Sequence, residues 1–145
     1  MTRLPLAASL LALSATGALA EMNFNRIAAF PVVQNMAADQ DTGRESSPEI
    51  IAATADGMTL IYTDSPGERV GMIDLADPKA PNAAGTVALD GEPTSVVVVD
   101  GKALVGVVTS ESYTEPSGHV AVVDIASKAV DATCDLGGQP DALAL

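Results

Sequence analysis

Between residues 47 and 145, short apolar runs alternate with turns rich in Asp, Gly and Pro. Apolar and β-branched runs of about 4–8 residues, bounded by such turns, predict β-strands. Asp56-Gly57 and Asp100-Gly101 each separate two runs, and Asp-Gly favours a hairpin because glycine takes the positive φ of a tight turn. The predicted strands are 49–54, 58–63, 69–75, 86–89, 94–99, 103–108, 119–125 and 130–136, with a loop at 76–82.

The predicted strands fall into a repeat. Pro48 is followed 45 residues later by Pro93, and Pro140 comes 47 residues after Pro93. The third strand also recurs, since 70–75 (Val-Gly-Met-Ile-Asp-Leu) matches 120–125 (Val-Ala-Val-Val-Asp-Ile). Four-stranded antiparallel units with a period near this length are typical of β-propeller blades. A β-sandwich is the alternative all-β fold, but it does not explain the repeat.

We therefore predict an all-β fold, an incomplete β-propeller with two four-stranded antiparallel blades and the first strand of a third. The smallest propeller needs about 180 residues at this period, whereas the repeat region 47–145 has 99. Residues 21–46 are predicted to be an N-terminal strand and linker, in which 24–33 is poorly anchored without a closing blade. A piece with an uncovered sheet is expected to be poorly soluble or to oligomerise.

Residues 1–20 have the pattern of a secretory signal peptide: Arg3, an apolar stretch from Leu4 to Ala15, and Ala-Leu-Ala ending at Ala20. The apolar stretch is shorter than the about 20 residues that span a bilayer. Cleavage after Ala20 would leave 125 residues and, by removing Arg3, change the net charge from −12 to −13. We expect a periplasmic or extracellular protein with no membrane span after cleavage.

Cys134 is the single cysteine of the sequence, although exported proteins usually pair their cysteines. We expect it to be a small buried side chain within the strand 130–136. The alternative is a disulfide partner outside these 145 residues.

The composition excludes several classes of function. The sequence has 19 Asp and Glu against 7 Lys and Arg, with two Phe, two Tyr and no Trp. Without a basic face or a stacking platform, the chain is not expected to bind nucleic acid. One Cys and one His cannot build a Cys/His zinc site, and neither a Gly-x-Ser-x-Gly motif nor a phosphate loop is present. We expect the lone His119 to be a turn or strand-edge residue rather than a catalytic one.

Residues 73–81 (Ile-Asp-Leu-Ala-Asp-Pro-Lys-Ala-Pro) resemble the third strand and following loop of YVTN-like and LVIVD-like repeats in secreted bacterial propellers. Together with 49–52, 93–96 and 140–143, they are similar to the N-terminal part of choice-of-anchor or esterase-like phytase family proteins, often labelled alkaline phosphatase. The resemblance implies a phytase-like or alkaline-phosphatase-like phosphoesterase whose catalytic part lies largely beyond residue 145. It therefore assigns no catalytic residue here. The alternative is a non-catalytic propeller that binds a protein or a cell-envelope component through its rim loops.

Four acidic residues are the candidate ligand-binding groups: Glu49, Asp64, Glu111 and Asp141. Glu49 and Asp141, like Thr94 between them, begin the inner strand of successive repeats, so we expect them to approach one another at one mouth of the channel. Asp64 and Glu111 are predicted to lie in loops that join the second strand to the third.

The loop 110–118 is longer than its counterpart 64–67, and insertions in one repeat tend to lie on the binding face. Carboxylates from one rim could hold Ca²⁺, which prefers hard oxygen ligands. The alternative is that these acidic residues are solvated turn residues that keep an exported protein soluble.

Overall fold

The computed structural model describes residues 25–145, and the predicted signal peptide lies outside the described residues. The strands form two four-stranded antiparallel sheets, in each of which the spatial order follows the chain order. The all-β prediction is thereby confirmed. The elements are a short 3-10 helix (Val32–Asn35) and strands β1 (Pro48–Ala53), β2 (Thr59–Asp64), β3 (Arg69–Asp74), β4 (Asn82–Ala88), β5 (Glu92–Val99), β6 (Lys102–Val108), β7 (Gly118–Asp124) and β8 (Ala129–Asp135).

The predicted and observed strands differ most at β4. This strand begins at Asn82 rather than at residue 86, and β3 ends at Asp74, so the loop between them is 75–81 rather than 76–82. The additional residues pair with the end of β3, where Ile73 lies opposite Ala83 and Asp74 opposite Asn82. Pairing with a neighbouring strand therefore outweighs the weak strand propensity of the Ala-Ala-Gly segment.

The two Asp-Gly hairpins close differently. Asp100 (φ 47°) and Gly101 (φ 76°) are both left-handed, as a two-residue type I′ turn requires. In the β1–β2 hairpin, Gly57 is left-handed (φ 71°) but Asp56 is not. The Asp56 carboxylate instead accepts hydrogen bonds from Thr54 Oγ1 and the Met58 N–H. The predicted hairpins are both present, with loops of different length.

One hydrophobic cluster joins the two sheets, and β5 is the strand of the second sheet that contacts β1, β2 and β3. Burying an aliphatic side chain contributes about 1.5–3 kcal/mol, so this cluster is the main source of stability. Within the apolar run 96–99 of β5, only Val96 is fully buried. The buried members are Ile61, Val70, Met72, Val87, Val96, Ala103, Val105, Val107, Ala121 and Val123.

The described part of the N-terminal segment contains no strand, contrary to the prediction. Residues 25–31 have no regular structure, and the following 3-10 helix ends at the buried Asn35. The Asn35 side chain bonds to the first sheet at Tyr62, Met72 and Gly85. The anchor of this segment therefore lies just beyond the range 24–33 that the sequence predicted to be loosely held.

Residues 140–145, predicted to be the first strand of a third unit, do not form a strand. A strand needs a backbone ladder with a partner, and these residues instead contact side chains of β5. Thr94 Oγ1 donates to Pro140 O at 2.7 Å, and the Leu143 N–H donates to Ser95 Oγ at 3.0 Å. The segment thus lies on the second sheet without joining it.

Cys134 lies in β8 as predicted, but its side chain is exposed rather than buried. All seven residues of β8 are exposed, because β8 is the outer strand of its sheet and the residues in the described part leave it uncovered. Between residues 25 and 145, no helix is long and apolar enough to cross a membrane.

Candidate functional site

An open cleft of about 610 Å³ lies where three connections between strands meet. The connections are the β2–β3 turn, the β4–β5 segment and the β6–β7 loop. Exposed carboxylates line the cleft, while none of the lining residues in the described chain is Lys, Arg or His. The four acidic residues are Glu68, Asp90, Glu92 and Glu111.

The β6–β7 loop, residues 109–117, is one wall of the cleft. Hydrogen bonds close its base: Thr109 N–H donates to Ser117 O at 3.1 Å, and Ser117 N–H donates to Ser110 Oγ at 2.7 Å. The tip is open to solvent, with Tyr113 95% exposed. The predicted loop is therefore confirmed, and its closed base places Glu111 at the cleft.

The opposite wall depends on a glycine. A Cβ at Gly91 would lie 2.3 Å from Val108 O, so the β4–β5 segment can run this close to the end of β6 only with glycine there. The Leu89 N–H donates to Glu68 O at 2.8 Å and ties the same segment to the β2–β3 turn. These backbone contacts bring the acidic residues of both segments to one edge of the molecule.

His119 lies beside the cleft as the second residue of β7, which agrees with the predicted position in a strand. Its Nε2 is 3.2 Å from Asp90 Oδ1, without hydrogen-bond geometry, and has no hydrogen-bond partner within the described chain. A protonated imidazole would pair with Asp90, whereas a neutral one makes a weaker contact. His119 does not line the cleft itself.

Of the four sequence candidates, only Glu111 lines the cleft. Glu49 is exposed in β1 and accepts a hydrogen bond from Ser47 Oγ at 3.1 Å. Asp141 is exposed and directly follows Pro140, the residue that Thr94 contacts. Neither Glu49 nor Asp141 is among the residues that form the cleft.

Asp64 is the last residue of β2 rather than a loop residue, and its side chain is 0% exposed against 7% for Arg69. Arg69 Nη2 and Nε lie 2.6 and 2.7 Å from Asp64 Oδ2. The Ser47 N–H and Ser46 Oγ also donate to this carboxylate. Burial alone would raise the pKa of Asp64, but the bonds from Ser47, Arg69 and Ser46 outweigh it and hold the pKa below its ordinary value. This carboxylate serves the fold, because its oxygens are engaged by these donors.

The structure adds Glu68, Asp90 and Glu92, which sequence reasoning missed. A usable signal was present, because Glu92 directly precedes the repeat landmark Pro93. The inner strand begins at Glu92 rather than at residue 94, so a search that starts at the landmark misses its first side chain. Asp90 lies two residues earlier, in the connection that forms the wall.

The described residues contain no group of three or more His, Cys, Asp and Glu side chains that could hold a metal ion. The carboxylates of the cleft have the hard oxygens that Ca²⁺ prefers, but they are spread along its walls. Their chemistry suits Ca²⁺, whereas their spacing does not fit a site built by the described chain alone.

No protein-family model matches the chain, and no curated protein matches it. A solved structure, Kuenenia stuttgartiensis hydrazine synthase, is similar at a TM-score of 0.52 and 25% sequence identity, over 66% of this chain and 25% of that chain. The chain therefore spans about a quarter of the length of that protein chain. Fold and comparison together define an all-β protein of four-stranded antiparallel sheets, and they assign no activity.

Proposed function

We propose that the chain is part of an exported β-propeller, in which the two sheets are consecutive blades and residues 140–145 begin a third. Three observations support this architecture: the sheets have the same strand order, they come from one sequence repeat, and they pack through one core. The signal-peptide pattern supports export. Units of this kind close into a ring at about four to eight blades, of which this chain supplies two.

The acidic cleft carries the functional part of the proposal, as the ligand-binding rim of the propeller. Loops held on rigid sheets commonly carry binding residues, and this cleft has one wall formed by the longer β6–β7 loop. The resemblance to phytase-like and alkaline-phosphatase-like proteins extends the proposal to phosphoester hydrolysis. Phosphoryl transfer needs cationic groups near the developing charge. Because the described cleft walls carry none, these groups come from blades beyond residue 145.

A non-catalytic propeller is the second candidate, and one observation favours it. Tyr113 stands 95% exposed at the loop tip beside the acidic walls, and an aromatic anchor next to like charges fits a basic patch on a protein or envelope component. Such a surface would bind its partner without needing any nucleophile or base.

We expect the complete exported protein to hydrolyse p-nitrophenyl phosphate or phytate, and residues 21–145 alone to show no turnover. Replacing Glu111 by Gln should lower KM by about tenfold, equivalent to about 1.4 kcal/mol, because it removes a negative charge from the rim that faces the anionic substrate. Glu49→Gln is the matched control, since Glu49 is exposed but away from the cleft. If the complete protein shows no turnover either with or without Ca²⁺, hydrolysis is refuted and the non-catalytic binding function is supported.

Calorimetric titration of residues 21–145 with Ca²⁺ should give no saturable heat. The physical reason is the spread of the carboxylates, because Ca²⁺ takes about 6–8 oxygen ligands at short range. A saturable heat that is lost in Glu111→Gln and retained in Glu49→Gln would contradict this expectation. It would then establish a calcium site on this rim.

A further inference from the structure

The second sheet, β5–β8, has one face buried against the first sheet and one open face. On the open face, Leu104 of β6 lies opposite Val97 of β5 and Val122 of β7. Cys134 of β8 lies opposite Val120, which is two residues from Val122 and so shares its face. These five side chains form the open apolar face, and each of them is at least partly exposed.

The repeat shows which residues of the first sheet correspond to this face. The matching third strands place Met72 at the position of Val122. Met72 lies opposite Ile61, and Val122 lies opposite Leu104. Ile61 and Met72 are the equivalents of Leu104 and Val122.

The same reasoning identifies the equivalent of the cysteine. Val70 aligns with Val120 in the matching strands. Val70 lies opposite Val87, and Val120 lies opposite Cys134. Cys134 therefore occupies the position that Val87 occupies in the first sheet.

In the first sheet these equivalent residues are the core. Ile61, Val70, Met72 and Val87 are between 0% and 6% exposed, and they belong to the cluster that joins the two sheets. The first sheet thus buries this face against the sheet that follows it in the chain. The second sheet presents the same face, on which Cys134 is exposed and Val97, Leu104, Val120 and Val122 are partly exposed rather than buried.

The segment 140–145 already occupies one edge of the open face. Pro93, at the start of β5, accepts a hydrogen bond through its carbonyl from Ser65 Oγ, in the β2–β3 turn of the first sheet, at 2.6 Å. Its repeat equivalent Pro140 accepts one from Thr94 Oγ1 of the second sheet at 2.7 Å. In both places the proline carbonyl accepts from a hydroxyl of the preceding unit, although Ser65 lies in a turn and Thr94 in a strand.

We propose that the open face binds a third four-stranded sheet that begins with residues 140–145, and that Cys134 is a packing residue of that interface. The proposal deepens the architecture given under the proposed function and rests on it, but it does not depend on phosphoester hydrolysis. Cys134 then has the role of Val87, a small apolar side chain in a core, and forms no disulfide.

A second copy of this chain fits the open face less well than a third sheet does. The complementary surface is the inner face of a sheet such as β5–β8, and in each copy that face is already buried against β1–β4. The corresponding face of the first sheet carries Tyr62 and is covered at Asn35. A charge of −12 on each copy also opposes self-association.

An extended chain tests the proposal directly. Residues 93–139 are repeated after Gln139 in place of 140–145, and the added copy carries Cys134→Val so that a single thiol remains. We expect the Cys134 thiol to react with a disulfide reagent about tenfold or more slowly than in the 145-residue chain, because thiol reactivity follows exposure. Sedimentation should show a monomer.

In the extended chain, Val122→Lys in the original copy should restore the fast reaction of the Cys134 thiol. In the 145-residue chain, the same substitution should leave the melting temperature unchanged. Thr133→Lys is the matched control, since Thr133 is exposed on β8 but lies opposite Ala121, on the other face. Unchanged Cys134 reactivity in a folded extended chain would overturn the proposal. So would a dimer of the original chain that Val122→Lys dissociates, because a second copy would then occupy the face.

The complete exported protein gives a second measurement that does not need the extended chain to fold. Cys134 should be protected there to a similar degree, and a freely reactive Cys134 would refute the proposal. Thiol protection together with no phosphatase activity would retain this inference and refute the hydrolytic function, so the two failures are distinguishable.

Discussion

Replacing Asp64 by Asn is expected to lower the free energy of unfolding by about 3–5 kcal/mol, because it leaves the buried Arg69 guanidinium without its counter-charge. The two side chains are 0% and 7% exposed, and Arg69 contacts one carboxylate oxygen through two nitrogens. Denaturant unfolding followed by far-ultraviolet circular dichroism at neutral pH measures the change. A loss below about 1 kcal/mol would contradict the buried ion pair.

The matched control is the exposed pair between Arg44 and Glu68. These side chains are 57% and 52% exposed and 4.0 Å apart, so Glu68→Gln should change the unfolding free energy by less than about 1 kcal/mol. The contrast between the two substitutions isolates burial, because each replaces one carboxylate by an amide of the same shape.

The pH dependence of Asp64→Asn has a definite sign. The pKa of Asp64 is lower in the folded chain than its ordinary value, so its contribution to stability is present above about pH 3.9 and is lost as the pH falls through the lowered folded value. The stability difference between the original chain and Asp64→Asn should therefore shrink below about pH 4. Parallel pH profiles would show that the pKa of Asp64 is not depressed.

Replacing Asn35 by Ala is the second large effect, with an expected loss of about 2–4 kcal/mol, because buried backbone groups lose their partners. The β3–β4 pairing is interrupted between Gly71 and Ile73. The Asn35 amide fills this gap: it donates to Met72 O and Gly85 O, both at 2.9 Å, and accepts from the Gly85 N–H at 2.6 Å. Its side chain therefore substitutes for a missing stretch of backbone.

Amide hydrogen exchange at Gly85 distinguishes this role from a general loss of packing. In Asn35→Ala the Gly85 amide should exchange faster than amides in the centre of β6, because only Gly85 loses its acceptor. Asn82→Ala is the control, since the Asn82 side chain bonds to Ala80 O in an exposed turn. Normal protection of the Gly85 amide in Asn35→Ala would refute the bridging role.

Local patterns predicted the strands and both hairpins, but they did not separate the acidic residues by role. Asp64 and Glu111 look alike in the sequence, since each follows an apolar run. Asp64 is buried because the β2–β3 register places it opposite Arg69, whereas Glu111 lies on a longer loop and has no such partner between residues 25 and 145. The cleft also needs Asp90 and Glu92 from another connection, and the position of that connection depends on how the two sheets pack.

The sequence by itself determined the all-β class, the chain order of the strands and the equivalence of positions between the two units. These properties depend on neighbours within a few residues, through strand alternation and the turn conformations that Gly and Asp allow. Only the tertiary structure decided which of two equivalent faces is covered. Val87 and Cys134 hold the same place in the repeat, but one is buried and the other exposed, because burial depends on whether a second sheet lies against that face.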